Sequence, residues 1–181
     1  MSYHSLTKAE TYTVETSIND LLNSTDMTRL LESHSLIKIH GRRNDVYLVQ
    51  PEDLLLLEKF SIGITSKNYS LIHVRIKLGF FIHENFLIGI ESLNFLAPLT
   101  KKKVHLDDRA TQQFIYGKDI EITTASSKEQ IADLQDQSTI MVFSPNDLPL
   151  GYAKFFNKET NPWLQNLVDI GIYLRSEKSA F

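Results

Sequence analysis

Apolar residues recur along this chain at two different periods, and the change of period maps its elements. Val14, Ile18 and the Leu21-Leu22 pair follow one another at the spacing of a single helical face. Ahead of them Thr7 and Glu10 form a T-x-x-E pair, the reciprocal cap of a helix N-terminus, so the pattern predicts a helix over about residues 7–23. SLIKIH (35–40) and DVYLV (45–49) flank Gly41-Arg42-Arg43-Asn44 and read as a β-hairpin with two arginines at its tip. In PEDLLLLEKF, Pro51 takes a first helical position, and Glu52 and Asp53 fall in the first turn, where they favour the helix dipole. LIHVRIKLGFFI and NFLIGIESLNFL then read as two long strands.

A proline followed by a short charge run, APLTKKK (97–103), is the best candidate boundary. The three lysines read as a solvated linker, with a basic patch as the alternative. Beyond them DDRATQQFIYG predicts a short helix with Gly117 just past its end. TIMVFS, LGYAKFF and WLQNLVDI are three further strands, KETNP is the hairpin loop between the last two, and DIGIYLRSE closes the chain as a helix or turn. The expected architecture is α+β in two parts, the second compact and mostly β.

One stretch, SPNDLPLGYAKFF (144–156), concentrates turn residues and follows them with alternating aromatic and basic positions. In an extended strand Leu150, Tyr152, Lys154 and Phe156 share one face, and Gly151, Ala153 and Phe155 the other. The small pair lets this strand approach a neighbour closely. On the other face Lys154 meets a phosphate while Tyr152 or Phe156 stacks an unpaired base, a contact worth about 1–3 kcal/mol. The alternative reading makes both rings core, with Lys154 snorkelling to solvent.

Composition narrows the chemistry. With 42% hydrophobic and 23% charged residues over 181 positions, the chain is an ordinary globular one, large enough for one domain or two small ones. It has no cysteine, hence no disulfide, thiolate metal site or thiol nucleophile. Six histidines are scattered with no i,i+4 pair, and seven glycines form neither a G-x-G-x-x-G nor a P-loop. No metal and no cofactor is therefore expected. Asp107-Asp108 reads as a helix cap and Asp147 as turn geometry more than as a general base, so no catalytic set emerges and the chain is read as a non-enzyme. No apolar stretch approaches the roughly 20 residues that cross a bilayer, and the N-terminus lacks a signal-peptide pattern, so a cytosolic or nuclear chain is expected. The net charge of −3 argues against a broad basic surface.

Three segments carry a resemblance: GFFIHENFLIGIESLNFLAPLTKKKVHLDDRATQQFIYGKDI, VFSPNDLPLGYA and NLVDIGIYLRSE. In their order and spacing, and above all in Leu96-Ala97-Pro98, Gln113–Gly117 and Asp147–Gly151, the chain resembles the Nip-seven family of large-ribosomal-subunit biogenesis factors, with a tail closest to archaeal members. It departs from the family at Phe86-Leu87-Ile88-Gly89, where a basic stretch is common, and at Ile172, where archaeal relatives tend to have tryptophan.

The resemblance implies a pre-PUA α/β domain with a mainly antiparallel sheet at residues 1–98, then a C-terminal PUA pseudo-β-barrel at 99–181. It implies a non-enzymatic, RNA-binding factor for large-subunit pre-rRNA processing and assembly, holding single-stranded, U-rich RNA on its PUA domain. Lys154, Lys158, Tyr152, Arg175 and Lys118 are the expected RNA contacts, with Asp169 or Glu177 as the alternative ion-pair partner of Arg175. Trp163 is a partner anchor or a partly buried core ring. The implied partners are pre-rRNA and other assembly or RNA-processing proteins, exosome-linked ones included, in an archaeal cytoplasm or a eukaryotic nucleolus. The alternatives are an RNA-recruiting subunit of an RNA-modifying enzyme and a protein-interaction module whose RNA face has decayed.

Overall fold

The structure is a computed structural model of the chain and describes residues 3–22, 24–40, 44–54, 76–123, 125–157, 161–172 and 175. The chain packs as two compact units, Met1–Asn19 with Asn23–Ser92 and Asp20–Leu22 with Leu93–Phe181.

In the first unit five strands form one antiparallel sheet: β1 (Tyr3–Ser5), β2 (Ser35–His40), β3 (Asn44–Val49), β4 (Ile76–Ile82) and β5 (Asn85–Ile88), adjacent in that order. The predicted hairpin is β2–β3, with Ser35 opposite Val49 and His40 opposite Asn44. Ile37 and Val49 are its buried centre, with Ile39, Tyr47 and Leu54 packed against them. Helices α1 (Lys8–Leu21) and α2 (Ser24–Ser33) lie between β1 and β2 in sequence, and residues 51–54 form a helical turn. The arginine tip of the hairpin and the segment 55–75 lie outside the described residues.

The α1 cap forms as its sequence dictates. Glu10 N–H donates to Thr7 Oγ1 at 3.3 Å, and Thr7 N–H donates to Glu10 Oε2 at 2.9 Å. Val14 and Ile18 on the predicted face are fully buried. Lys38 of β2 adds an ion pair to Glu10. Burial pushes the Glu10 carboxyl up, but hydrogen bonds from Lys38 and Thr7 outweigh it and hold the group below its ordinary value. A depressed folded pKa gives stability that is complete above the unfolded carboxyl's pKa and lost as pH falls through the folded one. Denaturation midpoints measured from pH 6 down to 2 are therefore expected to fall less steeply in Glu10→Gln than in the native chain.

The second of the two long strands is shorter than its apolar run. It ends at Ile88, and the chain turns through a 3-10 segment (Ile90–Ser92) into the one-turn helix α3 (Leu93–Leu96). Gly89 marks the break: its N–H still donates to Leu78 O at 2.7 Å, while its own carbonyl accepts both the N–H and the hydroxyl of Ser92. A continuous run of apolar residues fits a strand or a buried turn of helix equally well, so the run alone does not locate this change.

The second unit holds β6 (Lys103–His105), α4 (Asp108–Ile115), β7 (Ile120–Glu121), α5 (Ala125–Gln130), β8 (Thr139–Phe143), β9 (Pro149–Phe156) and β10 (Trp163–Asp169). The sheet order is β6-β8-β9-β10-β7, with β6 and β8 parallel and the other pairs antiparallel, curled into a half-barrel. The lysine run is thus no linker throughout, because Lys103 opens β6 opposite Met141. Val104, Phe114, Ile140, Val142, Ala153, Phe155 and Leu164 line the core inside the curl. At the end of α4 the predicted glycine does its work: Gly117 has φ +79°, its N–H donates to Phe114 O, and Lys118 N–H donates to Gln113 O. That is the double bond of a Schellman cap.

Candidate nucleic-acid interface

β9 carries two of the five site residues expected from sequence, Tyr152 and Lys154, and its two faces differ from simple alternation. Ala153 and Phe155 point into the core with Leu164 of β10, and Leu150 joins them there rather than sharing a face with Lys154. The switch coincides with register breaks at both neighbours, between Val142 and Phe143 on β8 and between Asn166 and Val168 on β10. Gly151 permits the close approach anticipated for it, since a Cβ there would stand 2.1 Å from Val168 O.

Tyr152 is corrected by the structure. Its ring is 2% exposed and lies opposite Met141, itself fully buried, so it has no open face for a base. α3 packs on β9. Lys154, two residues on, is half-buried and faces outward between Thr139 of β8 and Gln165 of β10. Beside it Phe156 stacks on its cross-strand partner Trp163, ring centroids 4.7 Å apart and planes within 15°. Both rings are half-buried and neither belongs to the core cluster. The outward face therefore presents Lys154, Gln165 and a two-ring stack side by side. Single residues suggested each part, but not the stack. The hairpin loop between the two strands is the signal that pairs the last residue of β9 with the first of β10.

Lys118 is exposed immediately after the α4 cap. Arg175 is engaged: its two terminal nitrogens donate to Asp169 at 2.9 and 2.8 Å, and one also donates to Ile115 O at 2.6 Å. Asp169 is 1% exposed and also accepts from Gly171 N–H. The guanidinium lies against Gly117, where an added Cβ would stand 3.2 Å from its central carbon. Of the two readings of Arg175 the structure shows the ion pair, and the fork expected to hold a phosphate holds the α4 terminus instead. Lys158 lies outside the described residues.

The opening turn of the stretch is tied down at a second place. Asp147 adopts φ +61° at the turn, and His105 Nε2 lies 3.0 Å from its Oδ1. The other ring nitrogen of His105 lies 3.0 Å from Gln130 Oε1, and the ring stacks on Phe143 at 5.2 Å. The bond from His105 holds the Asp147 carboxyl below its ordinary value, against slight desolvation and with help from the nearby charge of Lys103. Asp147 is a turn anchor in this setting, its N–H donating to Ser144 O at 3.1 Å. Among the described residues no three His, Asp or Glu side chains converge to hold a metal ion. No helix among them is long and apolar enough to cross a membrane.

Comparison with known proteins places these features. Residues 102–178 match the UPF0113 PUA domain. The chain is 26% identical over 157 residues to a UPF0113 protein of Archaeoglobus fulgidus, covering 82% of this chain and 83% of that one. It is 31% identical over 104 residues to the 60S ribosome subunit biogenesis protein NIP7 of Saccharomyces cerevisiae, covering 53% of this chain and 56% of the yeast protein. A NIP7 homolog of Danio rerio is 31% identical over 103 residues, 52% of this chain and 56% of that one. The match thus spans little more than half the length of these two eukaryotic relatives. A hypothetical protein of Pyrococcus horikoshii superposes with a TM-score of 0.49 at 9% identity over 84% of this chain and 81% of that one, too slight a likeness to bear on the fold.

Proposed function

We propose that the chain is a member of the Nip-seven and UPF0113 family, with its PUA domain at residues 102–178, and that it is a non-enzymatic RNA-binding factor of large-subunit ribosome biogenesis. The observation that carries this reading is the PUA match itself, because it spans the whole of β6 to β10 and with it the outward face around Lys154. The ligand is single-stranded, U-rich RNA of the pre-rRNA, and its phosphates meet Lys154, Lys158 and Lys118. The domain boundary falls at 98/99. The N-terminal domain docks on assembly or RNA-processing proteins, exosome-linked ones among them, and the factor works in the cytoplasm of an archaeal cell or the nucleolus of a eukaryotic one. Two observations support the phosphate contacts. Lys154 faces outward without an acidic partner among the described residues, and Lys118 is exposed at a helix end.

Since the chain is acidic overall, its affinity must come from local contacts rather than a general positive field. Fluorescence anisotropy of a labelled oligouridylate is expected to show binding that weakens with salt. Lys154→Glu should reduce the salt slope by about one phosphate contact. Absence of binding at low salt would remove RNA from the reading altogether.

A further inference from the structure

Resting on that RNA reading, we propose that the Phe156–Trp163 stack is a base-docking platform, on which one unpaired nucleobase of the strand stacks while Lys154 takes an adjacent phosphate. Three observations carry it. The two rings lie on the outer side of a sheet whose inner side is filled by Ala153, Phe155 and Leu164, and they stand outside that core cluster. They are already parallel, within 15°, so the stack ends in a flat ring face, unlike the edge-to-face contact shown by Phe81 and Phe86. A third flat ring extends such a stack with the same offset geometry.

The polar groups bordering the platform complete the argument. Lys154 lies two residues along β9 from Phe156, on the same side, and Gln165 lies two residues along β10 from Trp163, directly opposite Lys154. The cation suits a phosphate, and the exposed amide of Gln165, with donor and acceptor together, suits the edge of a base. The acidic neighbour Glu121, opposite Trp163 on β7, is engaged by Asn161 Nδ2 at 2.6 Å. A flat ring face with one cation beside it, and with the Glu121, Asp20 and Asp136 carboxylates nearby each already accepting a hydrogen bond, fits a stacked base and a single phosphate.

Trp163 is the single tryptophan of the chain, so its emission reports this site and no other. An oligouridylate is expected to quench it saturably, whereas an abasic sugar-phosphate strand of equal length should bind weakly and leave it unchanged. Phe156→Leu should weaken oligouridylate binding about 5- to 150-fold without altering abasic-strand binding. Phe156→Tyr, which keeps the ring, should restore affinity and so separate loss of the platform from loss of folding. If oligouridylate binds by anisotropy with unchanged Trp163 emission and equal affinity for Phe156→Leu, the platform is wrong while the RNA reading stands. If no strand binds by either readout, both fall and the face is left to a protein partner.

Discussion

Replacing Arg175 with alanine is expected to remove about 3–5 kcal/mol of folding stability, far more than an exposed ion pair normally contributes. The asymmetry of the pair is the reason. The Arg175 side chain is 38% exposed, whereas that of Asp169 is 1% exposed, so deleting the cation strands a carboxylate beneath the surface. Ile115 O at the end of α4 loses its donor in the same step. Urea denaturation should show the fall as a lower midpoint, and adding Asp169→Asn to Arg175→Ala should recover part of it by removing the stranded charge. RNA affinity measured on the folded fraction should change little. An Arg175→Ala protein of native stability with weakened RNA binding would return this residue to the RNA contacts.

The second large effect is expected at Gly151. An alanine there places its methyl carbon 2.1 Å from Val168 O, 2.8 Å from Asp169 Cα and 3.0 Å from the Phe114 ring. Two of those three neighbours belong to the β10 backbone, which cannot swing away as a side chain can. β9 and β10 must separate, and overpacking of this kind costs about 3 kcal/mol, at the upper end of its usual range. For a chain of this size that lowers Tm by about 6–12 °C. A thermal melt of Gly151→Ala within a degree of the native chain would mean that the two strands have slack.

These cases show which parts of the molecule can be read from its residues. The Thr7–Glu10 cap, the α1 face, the β2–β3 hairpin and the Gly117 cap are local devices, each set within a few neighbouring residues, and they fold as their sequence indicates. Tyr152 was misread because parity along a strand does not reveal what covers the strand: Tyr152 is buried while Lys154, two residues on at the same parity, is only half-buried, and α3, more than fifty residues earlier, packs on this strand. Leu150 was misread because the register breaks beside it interrupt the alternation. β6 and β7, at three and two residues, are too short to carry a period, and they exist because longer strands pair with them. The Phe156–Trp163 stack depends on pairing across a hairpin, which single positions do not encode.

The sheet order of the second unit also bears on the chain's synthesis. β6 and β7 are made first yet occupy the two edges, while β8, β9 and β10, made last and consecutively, fill the middle. A chain leaving the ribosome therefore carries edge strands with no neighbours until β8 and β10 emerge. The central meander closes through short loops at little entropic cost, whereas both edges must be recruited across longer intervals. Because Glu121 pairs with Trp163, the half-barrel closes only after β10 has been translated. The module is thus a late-folding one whose outer strands wait for its centre.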